Sequence, residues 1–312
     1  MNRAFSKRNM GKIIVISGGT GLIGSLLSSH LKSLGNEVRI LSRKSSNKDD
    51  FFRWDPEAGV LDSKAIENAE VLIHLAGAGI ADYRWSESRK EEIINSRVDS
   101  TLCIKNALSN YPNNINTVIA ASAIGYYGGD RGEFELSEES DPGDDFLAHS
   151  CDLWEEATST LASAERQLYT FRFGIVLDKR KGALPKISAP FKFGVGSQLG
   201  NGKQWMPWIH GNDVVKAVNA AINHEFPSGT YNVTSPNPAR NKALSRELAT
   251  VLKVPLWAPP VPKFILTLFF GEMSIAFIGS CKVLPVKLLK QGFKFDYPDL
   301  SSALTEIYSK KK

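Results

Sequence analysis

The sequence predicts an α/β protein, a doubly wound parallel sheet with a smaller C-terminal α/β lobe. Three observations carry this expectation. The β-branched run Ile13-Ile14-Val15-Ile16 ends in Gly18-Gly19-Thr20-Gly21-Leu22-Ile23-Gly24. Apolar runs of strand length then alternate with helical stretches. A chain of 312 residues, 42% of them apolar, can bury a full core and is long for one domain.

In the first unit, a strand at 12–17 leads through the glycines into a helix at 22–34 and a second strand at 37–42. Gly18, Gly21 and Gly24 stand where a strand turns into a helix whose free N–H groups face an anion, which is the cradle of a dinucleotide pyrophosphate in a Rossmann-type domain. The alternative is a turn whose glycines only let helix and strand pack closely. The second strand, Val38-Arg39-Ile40-Leu41, ends at Ser42-Arg43-Lys44 with no acid to hold the ribose hydroxyls of NAD. Arg43 instead pairs with a 2′-phosphate, which favours NADP (NADPH); a solvated basic loop is the alternative.

Phe51-Phe52-Arg53-Trp54 is a short strand. Val71-Leu72-Ile73-His74-Leu75 opens onto Ala76-Gly77, small enough for the chain to pass beneath an adenine or ribose. The stretch 87–108 carries a helical rhythm of Ile93, Ile94, Val98, Leu102, Ile104 and Leu108. Val118-Ile119-Ala120-Ala121 is a buried strand ending at Ser122, and the strand 168–173 ends at Gly174, so both ends lie on the ligand-binding edge.

Composition narrows the function class. A net charge of +5, from 38 Lys and Arg against 33 Asp and Glu, clusters only at the ends, so no nucleic-acid footprint is expected. Cys103, Cys151 and Cys281 lie far apart with no C-x-x-C and no nearby histidines, which argues for a reducing compartment and no metal. Residues 1–10 are basic without an apolar signal core and read as a flexible tail on a cytoplasmic protein. Phe264-Ile265-Leu266-Thr267-Leu268-Phe269-Phe270 and Ile275-Ala276-Phe277-Ile278 are split by Gly271-Glu272, too short to span a membrane. Buried helices of the second lobe are expected here; a membrane-surface contact or a homodimer contact is the other reading.

Several further segments together resemble the extended short-chain dehydrogenase/reductases, in the atypical branch called simply the epimerase family. They are the Gly18-x-x-Gly21-x-x-Gly24 spacing, Leu75-Ala76-Gly77, Arg84-Trp85, Ser96-Arg97, Ser122-Ala123-Ile124-Gly125-Tyr126-Tyr127-Gly128 and Pro142-Gly143-Asp144-Asp145-Phe146. Later come Trp154-Glu155, Arg172-Phe173-Gly174-Ile175-Val176-Leu177, Gln204-Trp205-Met206-Pro207-Trp208-Ile209-His210 with Asp213, and Gly292-Phe293-Lys294-Phe295-Asp296-Tyr297-Pro298. The resemblance runs from about residue 11 to 308. It implies an NADP-binding domain over 11–180, a mainly C-terminal substrate or lid lobe over 181–312, and a strand at 230–233 that returns to the sheet. It also implies that Gly18, Gly21, Leu22, Ile23, Gly24, Ser42 and Arg43 hold the adenosine end of NADP, that Leu75, Ala76 and Gly77 line its middle, and that Ile175 and Val176 lie near the nicotinamide.

Ordinary members carry a Tyr-x-x-x-Lys pair on the helix after the serine strand, the tyrosine moving the substrate proton and the lysine lowering its pKa. If Glu155 marks the register, Leu147 and Cys151 stand in those places here. Cys151 is a small core residue or a thiolate, and His149 a surface histidine or an acid/base. Ser122 polarises a substrate carbonyl or caps a turn, and its spacing to Tyr127-Gly128 is one residue longer than the commonest epimerase pattern. Tyr126 or Tyr127 replaces the missing phenol or packs the cleft wall. Arg84, Gln204, Trp205 and His210 are expected to face the substrate. The sequence leaves two readings: an NADP-dependent oxidoreductase or epimerase acting on a sugar nucleotide or another small carbonyl or hydroxyl compound, and a catalytically silent NADP-binding module, some relatives being linked to cell division.

Overall fold

A computed structural model describes residues 11–44 and 48–309; the expected tail at 1–10 and the basic end Lys310-Lys311-Lys312 lie outside the described residues. The strands are β1 (Ile13–Ser17), β2 (Glu37–Ser42), β3 (Phe51–Asp55), β4 (Val60–Leu61), β5 (Val71–His74), β6 (Thr117–Ala123), β7 (Asp130–Leu136), β8 (Gln167–Phe173), β9 (Ile175–Leu177), β10 (Trp205–Met206), β11 (Trp208–His210), β12 (Gly229–Val233), β13 (Ala239–Arg240) and β14 (Ser280–Val283). The helices are α1 (Leu22–Ser33), α2 (Glu87–Asn110), α3 (Phe146–Ser159), α4 (Ala183–Lys192), α5 (Gly211–Ile222), α6 (Asn241–Leu252), α7 (Lys263–Phe270), α8 (Ile275–Ile278), α9 (Val286–Lys290) and α10 (Leu300–Tyr308).

Eight strands form one sheet in the order β12-β8-β6-β5-β1-β2-β3-β4. Each neighbouring pair is parallel except β3 with β4. From β1 the chain runs outward through β2 and β3 on one side and through β5, β6 and β8 on the other. A crevice therefore opens beyond the carboxyl ends of β1 and β5, where such sheets bind ligands.

Both faces are covered, as a parallel sheet requires. Ile14 and Ile16 point into a cluster with Leu27 and Leu31 of α1 and Val214, Val218 and Ala221 of α5. Val15, between them, points the other way, toward Cys103, Ile104 and Leu108 of α2. All these side chains are buried; a fully buried Leu or Ile contributes roughly 1.5–3 kcal/mol. A second core joins Leu184 and Phe191 of α4, Leu244 and Leu248 of α6, and Leu300, Leu304 and Ile307 of α10. The chain crosses back from this lobe, so that β12 pairs with β8 at the sheet edge.

Two expectations fail. On α2 the inward face carries Ile93, Arg97, Ser100, Thr101 and Ile104, while Leu102 is turned outward and 44% exposed. The apolar rhythm read from the sequence mixed two faces, because polar residues, Arg97, Ser100 and Thr101 among them, occupy the inner one. The helices over 264–278 are not buried: Phe264, Leu268 and Phe269 are exposed, and on α7 only Leu266 is buried. An eight-residue helix following Pro262 seats one anchor and leaves the rest of its apolar surface outside. Among the described residues, no helix is long and apolar enough to cross a membrane.

Candidate active site

The glycine turn is closed by the Gly21 amide donating to the Gly18 carbonyl at 3.0 Å. Gly18 has φ +71°, and a Cβ there would stand 2.9 Å from the Leu75 backbone. A Cβ on Gly24 would stand 2.4 Å from the Gly18 carbonyl oxygen, so both positions require glycine for close packing. Gly21 differs: its missing side chain would meet only the Gly18 oxygen, at 3.2 Å, and otherwise faces open space. Helix α1 has no side-chain cap and no acid in its first turn, which leaves its N-terminus free for an anion. Leu22 and Ile23 pack half-buried on the main core.

A cavity of about 840 Å³ opens from this turn, lined by Gly18, Gly21, Ser42, Arg43, Leu75, Ala76 and Gly77. Trp54, Glu57, Glu92 and Asp99 complete parts of its wall. Ser42 makes a local turn, its hydroxyl donating to the Lys44 carbonyl at 2.9 Å, and this presents Arg43 outward beside the cavity. Backbone donors at the glycine turn, an exposed guanidinium at the end of β2 and volume between them fit a dinucleotide with a 2′-phosphate. Behind the cavity, Ser17 and His74 are joined at 2.6 Å between oxygen and Nδ1, linking the ends of β1 and β5. Burial drives the His74 pKa down to about 4.

The inner end of the crevice is built from side chains. Asp145 caps α3 through the Ala148 amide at 3.0 Å and also accepts from the Gly129 amide at 2.6 Å. That pins the 3₁₀ turn Ile124–Tyr127 onto α3 so closely that a Cβ on Gly125 would lie 3.3 Å from the Cys151 sulfur and 3.4 Å from Leu147. Leu147 and Cys151 are buried, and His149 faces outward. Burial pushes the Cys151 thiol up to about 12, so it packs as an inert core residue.

Below the turn, Arg172 on β8 binds Glu155 on α3 through both carboxylate oxygens, each at 2.8 Å. Ser122 donates to the same carboxylate at 2.6 Å. Arg172 also donates to the Tyr127 phenol at 3.0 Å, and that phenol donates to Asn232 at 2.7 Å. Tyr127 is fully buried and burial pushes its pKa up to about 12, which favours the packing alternative over proton transfer for this residue. Ser122, 3% exposed, has its proton committed to Glu155. Tyr126 is only half-buried, with the Arg172 guanidinium 3.4 Å from its ring centroid.

The expected substrate residues each have contacts of their own. His210 is buried, joined to Glu306 at 3.1 Å and packed on Tyr297 with ring centroids 4.0 Å apart. Gln204 is buried and donates to the Leu199 carbonyl at 3.1 Å. Trp205 donates to Glu133 at 2.9 Å, with Arg240 over its ring at 4.1 Å. Arg84 is exposed and approaches Gly271, where a Cβ would lie 2.9 Å from it. Ile175 and Val176 form β9 beside β11, Val176 being buried in the main core. Among the described residues, no group of acids, histidines and cysteines could hold a metal.

Residue-by-residue reading missed the contacts of Glu155, Arg172 and His74. The available signal was a charged or polar residue inside an otherwise apolar stretch, which survives burial only with a partner or a task.

Comparison with known proteins agrees with this architecture. Residues 14–150 match the model of the NAD dependent epimerase/dehydratase family, and residues 261–307 match a domain of unknown function, DUF1731. The chain is 35% identical over 304 residues to the epimerase family protein YfhF of Bacillus subtilis, covering 96% of this chain and 99% of that one. It is 32% identical over 311 residues to the chloroplastic SDR39U1 homolog of Arabidopsis thaliana, covering 97% and 88%. The crystal structure of human epimerase family protein SDR39U1 with NADPH superposes with a TM-score of 0.86 at 28% identity, covering 95% and 99%. A UDP-N-acetylglucosamine 4-epimerase from Bacillus cereus, at 19% identity and TM-score 0.74, shares the fold. With a relative this similar along nearly its whole length, the chain belongs to the epimerase family of extended short-chain dehydrogenase/reductases.

Proposed function

We propose that the protein binds NADP in the cavity beside the glycine turn and oxidises or reduces a small hydroxyl or carbonyl compound, sugar nucleotides included, with Tyr126 moving the substrate proton. The NADPH bound to the human relative supports the cofactor, together with Arg43 at the end of β2. NADP supplies hydride exchange at its nicotinamide ring. The rest falls to this chain's own residues.

The stack of Arg172 on Tyr126, 3.4 Å from the ring centroid, carries the reading. A guanidinium held on the ring face stabilises negative charge growing on the phenol as its proton leaves. Glu155 fixes that guanidinium through two bonds, and Ser122 fixes Glu155. In the register set by Glu155, Leu147 and Cys151 replace the family's tyrosine and lysine, and neither moves a proton at neutral pH. Arg84, exposed, is the group to grip an anionic substrate.

A second reading, a silent NADP-binding regulatory module, is favoured by the engagement of Ser122, Tyr127 and His210 in closed contacts. One experiment separates the two. NADPH oxidation is followed with sugar nucleotides, aldehydes, ketones and quinones, using wild type and Tyr126→Phe. Turnover that falls about 100-fold or more in Tyr126→Phe at unchanged NADPH affinity is the expected result. Tight NADPH binding with no turnover across the panel assigns the regulatory module instead.

A further inference from the structure

Arg97 is a buried cation that the mechanism above leaves unused. It sits on the inward face of α2 and is 7% exposed. Among the described residues its hydrogen bond is from Nη1 to the Ile93 carbonyl at 2.7 Å, and it has no ion pair. The other buried arginines are paired: Arg172 with Glu155, and Arg89 with Glu92. Burying a guanidinium without a counter-charge is costly, and the Trp154 ring face offsets only part of that cost, so the remaining donors favour an anionic or polar ligand within their reach.

Its surroundings locate that ligand. The guanidinium lies 4.8 Å from the Trp154 ring centroid on α3. A Cβ on Gly77 would come within 3.1 Å of its Cζ and 3.3 Å of Nη1, and Gly77 lines the cavity. Cys151 is near enough for its thiol and Arg97 to perturb each other electrostatically. The charge therefore stands between the glycine under the middle of the cofactor and the position where ordinary relatives carry their lysine.

We infer that Arg97, reaching across from α2, takes over the binding task of the absent lysine and donates to ribose and phosphate oxygens on the nicotinamide side of NADP. This rests on the NADP reading above and adds a residue to it. Arg97 thus grips the end of the cofactor that Arg43 cannot reach.

Two ligands separate the ends: NADPH, and adenosine 2′,5′-bisphosphate, which keeps the adenosine end and lacks the nicotinamide side. In titrations of both, Arg97→Gln is expected to weaken NADPH at least tenfold and to leave the bisphosphate within twofold. Arg97→Lys, which keeps the charge and loses the planar fork, should fall between. Equal weakening of both ligands makes Arg97 a structural residue and overturns the inference, as does unchanged NADPH affinity. Should Arg97→Gln fail to fold, Arg97→Lys decides alone: a loss of threefold or more for NADPH only supports the inference, and any other pattern overturns it. Wild type that binds neither ligand removes the NADP reading itself, a failure distinct from the others.

Discussion

At the glycine-turn end of the crevice the chain presents mostly backbone, with the amides of the turn, the open space over Gly21, and the exposed guanidinium of Arg43 around about 840 Å³ of space. At the inner end, side chains close on one another: Arg172 on Glu155, Ser122 on Glu155, Tyr127 on Asn232. An end made of backbone and volume can lose a side chain and stay folded. An end made of a buried ionic network cannot, because removing one partner strands the other.

The strongest challenge to that contrast is Arg172→Met. It leaves the Glu155 carboxylate with Ser122 alone and should lower unfolding free energy by about 3–5 kcal/mol. Urea denaturation measures it, and a change under about 1 kcal/mol would erase the distinction between the ends.

His74 marks the seam where β1 meets β5. Burial holds its pKa near 4, below the ordinary 6.5, so the unfolded chain takes up the proton first. Its contribution is complete above about pH 6.5 and is lost as pH falls toward 4, up to about 3 kcal/mol. Urea midpoints at pH 7.5, 6 and 5 should fall less steeply in His74→Gln than in wild type. Parallel slopes would take His74 out of the account.

The smallest effect belongs to the open end. Arg43→Asp should leave the unfolding free energy within about 0.5 kcal/mol, weaken NADPH binding about tenfold or more, and affect NADH far less. Equal losses for both nucleotides would show that the end of β2 does not read the 2′-phosphate.

The same contrast explains what was legible in the sequence. Ile13–Ser17, Glu37–Ser42 and Val71–His74 announced themselves as apolar runs, and the glycine turn by its spacing, because local conformation fixes both. The inner end depends on which distant residues meet. Nothing local ties Ser122 to Glu155, or His210 to Glu306. On α2, Arg97, Ser100 and Thr101 on the buried face contradict amphipathic reading, since polar residues there serve contacts made elsewhere in the chain. Exposure of Phe264, Leu268 and Phe269 was equally hidden, because apolar composition does not say which lobe surface a helix covers.

The return of β12 to β8 sets an order of assembly. Residues 229–233 arrive after the whole segment that builds α4, β10, β11 and α5, so during synthesis the Gln167–Phe173 edge waits unpaired. An unpaired, mostly buried strand edge is the surface on which chains add to one another. The large sheet is therefore complete only after residues 229–233 have been made, and a fragment ending near residue 180 would carry an aggregation-prone edge that the full chain covers with its own later strand.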